Sequence, residues 1–167
     1  LFFSDHDDGG GQIFDFDDRL LINDGAGFFT DETFLRMSPA MYEVDFGVGN
    51  AIADMNGDGA DDVVRMSSDS DPYHIGIAYN DADAIGTFDS YDHIYELTAY
   101  SVAVGELNGD GRLDVVAIDD GTDRYLLNQG NDGSGQAVFT QFTFGPQTNV
   151  INAGNVLIED LDRDGWN

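Results

Sequence analysis

An all-β fold assembled from β-propeller blades, each of four antiparallel strands, is what the sequence predicts, and three observations predict it. An acidic loop recurs three times in 167 residues, short apolar segments of strand length flank the copies, and no window carries a sustained helical period with caps. Asp54-Met-Asn-Gly-Asp-Gly-Ala-Asp-Asp62 is matched by Glu106-Leu-Asn-Gly-Asp-Gly-Arg-Leu-Asp114 and by Asp160-Leu-Asp-Arg-Asp-Gly-Trp-Asn167. The loops start 52 and then 54 residues apart. Almost no helix is expected.

The elements of the unit follow in order. Before each loop stands an alternating apolar segment, at 50–53, 101–105 and 155–158, which reads as a first strand. Directly after it comes an apolar run, Asp62-Val-Val-Arg-Met66 or Asp114-Val-Val-Ala-Ile118, and the opening Leu1-Phe-Phe-Ser4 fits the same slot. A polar turn leads to a third segment, at 19–23, 75–80 and 124–128, which ends in Asn each time. Turn residues rich in Gly, Asn and Asp follow, since these accept positive φ at low cost. An aromatic segment closes the unit: Phe28-Phe-Thr30, Thr87-Phe88 or 138–144.

Four strands in a little over fifty residues make one blade. Counted from the end of one acidic loop to the next, the chain divides into blade repeats 1–62, 63–114 and 115–167, one continuous segment without a linker. Three blades are fewer than an ordinary propeller holds, so further blades of the same or a neighbouring chain are expected to complete the ring. The start at Leu1, one residue after the place of a loop, reads as an interior piece of something longer.

Charge narrows the partners. Asp and Glu number 33 against six Arg and no Lys, a net charge of −27. Nucleic acid and anionic membrane surfaces are poor partners for such a chain, and no run reaches the length of a membrane span, so no membrane insertion is expected. Divalent cations are natural counterions, although three of them would restore only six charges, so most carboxylates must sit on solvated surface. The chain has no cysteine, which excludes disulfides and thiolate metal sites.

Calcium takes six to eight hard oxygens, which short acids at alternate positions of a tight loop supply. The expected ligands in one loop are Asp54, Asn56, Asp58, the Ala60 carbonyl and Asp62, with Gly59 turning the backbone. In the next they are Glu106, Asn108, Asp110, the Arg112 carbonyl and Asp114, with a longer first arm. Asp160, Asp162, Asp164 and the Trp166 carbonyl begin a third set whose ninth position would be residue 168. An EF-hand shares the first acidic positions but needs a glutamate at position twelve and two flanking helices. Position twelve is Arg65 or Ala117.

These residues carry a family resemblance. Asp-x-Asn-Gly-Asp-Gly-x-x-Asp-Val-Val, followed by a Leu-Leu-x-Asn type strand, a glycine turn and an aromatic strand, resembles the FG-GAP and VCBS-type repeats, themselves similar to the integrin α-chain propeller. Phe46-Gly47 and Phe144-Gly145 stand where the Phe-Gly half of the motif would be, while the middle repeat lacks it, which makes the chain more similar to the bacterial VCBS-type version. The resemblance implies a propeller, usually of seven blades, with calcium in the loop between the first two strands of a blade. It also implies secretion or a cell-surface place, with adhesion or binding to an extracellular protein or carbohydrate ligand.

Other candidates are weaker. His6, His74 and His93 lack a shared metal-ligand spacing and read as surface or turn residues. The run Ser4-Asp-His-Asp-Asp8-Gly9 falls, by repeat phase, on a turn. Tyr42, Tyr79, Tyr91, Tyr95, Tyr100 and Trp166 could line a sugar site, but aromatics on strands more often form core. The chain is therefore expected to bind and not to catalyse. The alternatives are a propeller part of a secreted polysaccharide lyase or hydrolase, and a structural surface-layer or filament unit.

Overall fold

The computed structural model describes residues 1–3, 18–42, 49–67, 74–96, 99–118, 122–145, 154–165 and 167. These fold into three antiparallel sheets in chain order. The first holds β1 (Phe2–Phe3), β2 (Arg19–Asn23) and β3 (Phe29–Asp31). Two single-turn helices follow, α1 (Thr33–Arg36) and α2 (Pro39–Tyr42). The second sheet holds β4 (Asn50–Ala53), β5 (Asp62–Ser67), β6 (His74–Asn80) and β7 (Phe88–Tyr95). The third holds β8 (Ser101–Gly105), β9 (Asp114–Ile118), β10 (Arg124–Asn131) and β11 (Ala137–Thr143).

Both four-stranded sheets are simple meanders, each strand paired with its sequence neighbour. That is the predicted blade, and the fold is all-β apart from the two helical turns. Hydrogen bonding phases the sheets as 50–95 and 101–143, so each acidic loop lies inside a sheet, between its first two strands. The register repeats as well: Ala53 faces Asp62 across the mouth of one loop, and Gly105 faces Asp114 across the mouth of the next.

Alternation along the strands supplies two cores. Met55, Val64, Met66, Ile75, Ile77 and Tyr79 of the second sheet pack with Val102, Val115, Ala117 and Leu126 of the third. Val63, Ala78 and Phe88, from the opposite face of the second sheet, pack with Phe2, Leu20, Met37, Met41 and Tyr42. The middle sheet is therefore covered on both sides, and every residue of β5 and β6 is buried. The helical turns lie in the second core, where Thr33 Oγ1 accepts the Leu20 N–H at 2.8 Å.

The strand expected over 155–158 is not formed. The segment runs beside β8, where Ser101 Oγ donates to Asn155 Oδ1 at 3.0 Å and a Cβ on Gly105 would lie 2.6 Å from Ile158 Cγ2. In β4 and β8 the ladder partner is the strand after the acidic loop. An alternating pattern alone does not satisfy a ladder.

Candidate metal centres

In the loop 54–62 two glycines with positive φ, Gly57 at 76° and Gly59 at 95°, bend the backbone around its own side chains. Asp54 Oδ1 accepts the N–H groups of Gly57 at 2.7 Å and Asp58 at 3.1 Å, while its Oδ2 accepts that of Gly59 at 2.9 Å. Asn56 Oδ1 accepts the Asp58 N–H, and Asp58 Oδ1 that of Ala60. Asp62 closes the base with no exposed surface. Its Oδ2 accepts the Met55 N–H and its Oδ1 the Asn80 N–H, both at 2.9 Å. Burial pushes the Asp62 carboxyl up to about 6 against those two bonds, and the carboxylates of Asp58 and Asp54 push it further the same way.

Loop 106–114 has the same base. Asp114 is fully buried and accepts the Leu107 N–H at 2.9 Å and the Asn128 N–H at 2.8 Å. Burial raises its pKa, with Asp110 and Glu106 adding to the rise. The rim differs. Glu106 Oε1 collects the N–H groups of Asn108 and Gly109, and Arg112 Nη2 pairs closely with Asp110 Oδ2. The Arg112 backbone N–H on Oδ1 is the main reason the Asp110 carboxyl sits below the usual range.

The third loop copies the backbone with a harder residue. Arg163, φ 61°, occupies the place of Gly57 and Gly109, and among the described residues no other non-glycine has positive φ. Asp160 accepts the N–H groups of Asp164 at 3.2 Å and Gly165 at 2.9 Å; the Gly165 bond leads in holding its pKa low. Asp160, Asp162 and Asp164 bring one oxygen each within 4.8 Å of one another, the one such group of three acids among the described residues. Trp166 lies outside those residues, so its carbonyl has no place in this description.

The structure thus gathers the side chains of Asp54, Asn56, Asp58 and Asp62 into one loop, those of Glu106, Asn108, Asp110 and Asp114 into a second, and three acids into a third. Ala60 is buried and Arg112 half-exposed at the carbonyl position. The donors are all oxygens, and although Asp54 Oδ1, Glu106 Oε1 and Asp110 Oδ2 each accept two hydrogen bonds, the second oxygen of each of these carboxylates accepts at most one, so every carboxylate keeps a lone pair and the set fits a hard cation.

Sequence reasoning noted the Asn that ends each third strand but gave it no role. Asn80 donates its backbone N–H to Asp62 and its Nδ2 to the Asp61 carbonyl, and Asn128 does the equivalent for Asp114 and Leu113. These asparagines brace the loop bases; their recurrence was the available signal.

Of the histidines, exposed His93 agrees with a surface reading and His74 does not. His74 is buried on β6, stacks on His93 at 3.8 Å, and its Nε2 lies 2.7 Å from the Tyr91 hydroxyl. Arg65 stands 5.4 Å over the Tyr91 ring and pairs with Asp18 at 3.0 Å, both side chains 1% exposed. Gly76 admits this cluster, because a Cβ there would lie 2.2 Å from the Tyr91 oxygen. Tyr42 and Tyr79 are core residues, while Tyr100 is exposed. His6 and the run 4–9 lie outside the described residues.

A family model described as the FG-GAP-like repeat matches residues 54–116 and again 106–167, each match opening on the first residue of an acidic loop. No curated protein and no solved structure gives a match.

Proposed function

This chain belongs to the FG-GAP-like repeat family, and from that premise we propose that it is a calcium-binding β-propeller module that serves extracellular binding or adhesion toward a protein or carbohydrate ligand. The observation that carries the reading is the recurrence of one loop geometry in three successive units, kept even where Arg163 must adopt a glycine's conformation. A backbone so over-determined points to a constraint on the loop itself. The residues that would hold the ion are Asp54, Asn56, Asp58, Ala60 and Asp62 in one loop, and Glu106, Asn108, Asp110, Arg112 and Asp114 in the next.

Bound calcium would offset the like charges that push Asp62 and Asp114 upward and would tie the two strands at each loop mouth. The chain's part is to hold its acids inward through backbone N–H groups. A secreted or cell-surface place suits the family. The described residues include no helix long and apolar enough to cross a membrane. Calorimetric titration of calcium into the chelator-stripped chain tests the reading: saturable binding of at least two ions is expected, and no binding by folded protein overturns it.

A second reading, the propeller part of a polysaccharide lyase or hydrolase, is favoured by one observation. His74, Tyr91, His93 and Arg65 form the kind of cluster that glycan chemistry uses, and His93 is exposed. Turnover of acidic or neutral glycans that disappears in His93→Ala would establish it.

A further inference from the structure

The two complete acidic loops share a residue. Asn128, 1% exposed within the third strand of its sheet, gives its backbone N–H to Asp114 Oδ1 and takes the Arg112 Nε–H on its carbonyl at 2.9 Å. Arg112 in turn pairs with Asp110. Asn128 is thus fixed by three members of loop 106–114, its Nδ2 also donating to the Leu113 carbonyl at 3.2 Å. The same Nδ2 reaches beyond that sheet and donates to the Met55 carbonyl at 2.9 Å, across 73 residues of sequence. Three residues later, Asn131 Nδ2 donates to the Asn56 carbonyl at 2.7 Å. Met55 and Asn56 are the second and third positions of loop 54–62. Around these contacts the two loops enclose a cavity of 310 Å³ lined by Asp54, Asn56, Arg112, Asn128 and Asn131 among others.

Asn80, in the equivalent place one sheet earlier, shows what is special here. It braces its own loop through Asp62 and Asp61, and its side-chain oxygen takes the Gly86 N–H of its own sheet. The link from one loop to the previous one is what Asn128 and Asn131 add. The third loop repeats the idea in another form, since Asn167 Nδ2 donates to the Glu106 carbonyl at 2.9 Å.

We propose that loops 54–62 and 106–114 bind divalent cations with positive cooperativity, and that Asn128 and Asn131 are the positioning residues that couple them. The inference rests on the calcium reading above. Ordering Asp110 and Asp114 around an ion fixes the end of β10, and with it the two amide groups that orient the Met55 and Asn56 peptides. The second ion then meets a loop whose ordering is already partly complete. By linkage the effect is reciprocal.

The test is calorimetric titration of calcium into the full chain, with the third loop silenced by Asp162→Asn and Asp164→Asn. Disabling loop 106–114 through its exposed rim, with Glu106→Gln and Asp110→Asn, should weaken calcium binding at loop 54–62 by a factor on the order of five, and the mirror experiment with Asp54→Asn and Asp58→Asn should weaken loop 106–114 equally. Asn131 is exposed, so Asn131→Ala should fold normally and should shrink that factor without changing the intrinsic affinity of loop 106–114. It also decides the matter if a rim variant fails to fold: unchanged cooperativity in Asn131→Ala overturns the proposed coupling path. Two loops that bind calcium with the same affinity whether or not the other is intact overturn the coupling while leaving the calcium reading in place. Folded wild type that binds no calcium overturns both.

Discussion

Loops 54–62 and 106–114 have one base and two different rims. Asp62 and Asp114 each sit without exposed surface, each accepting one N–H from the second residue of its loop and one from an Asn of the third strand. At the rim, Asp54 gathers three N–H groups, Glu106 two. Position seven is buried Ala60 in one loop and half-exposed Arg112, clamped on Asp110, in the other. The difference teaches that the base belongs to the fold, whereas the rim is where the affinity for a bound cation would be set. The first loop presents only acids; the second carries a cation of its own.

The comparison breaks first at the base. In excess chelator, Asp62→Ala and Asp114→Ala should each lose about 3 kcal/mol of unfolding free energy in urea, because each strands two buried N–H donors that bonded a carboxylate. Equal losses support a shared base. A loss at one site alone would show that the two sheets do not depend on their loops alike.

Next comes pH. The folded Asp62 carboxyl sits at about 6, above its usual 3.8, so the folded chain holds that proton more tightly than the unfolded chain does. Stability from this group is present at low pH and is lost as pH rises through about 6. Asp114 acts in the same direction. Metal-free protein should therefore gain stability as pH falls from 7 towards 4.5, until, at lower pH, carboxylates held below their usual range, such as Asp31 through its bonds from Thr33, begin to be protonated. Denaturation midpoints in chelator across that range check this, and Asp62→Ala should flatten the slope. A midpoint that falls steadily from pH 7 would contradict it.

The smallest effect concerns the rims. Arg112→Ala releases Asp110 and should tighten calcium at loop 106–114 by about threefold, as expected for an exposed ion pair. Titration calorimetry reads the change, and a weaker affinity would show that Arg112 serves the site in place of competing with it.

Much of this was legible in the sequence. The acidic loops announce themselves because glycine at fixed places and acids at alternate places are local requirements. The strands Asp62–Ser67 and Asp114–Ile118 follow from apolar runs beside them. What escaped is what depends on distant partners. Only Thr87-Phe88 suggested a closing strand, yet β7 runs to Tyr95, because Asp89, Asp92 and His93 interrupt the apolar alternation along it. The stack of His74 on His93 depends on a register in which Gly76 faces His93. The bond from Asn128 to Met55 spans two sheets, and only the repeated Asn hinted at it. Residues 155–158 show the converse: a strand-like pattern lying beside β8 with no ladder of its own.

The central claim, that the recurring loops hold calcium and that calcium holds the blades, is tested most directly by thermal melting of calcium-loaded protein at pH 7 with and without excess chelator. Ions bound at about a hundred times their Kd add about 2.7 kcal/mol per site, so loss of two ions to chelator should lower Tm by about 10–20 °C for a chain of this length. Superimposable melting curves from protein verified to be calcium-loaded at the start would contradict the account.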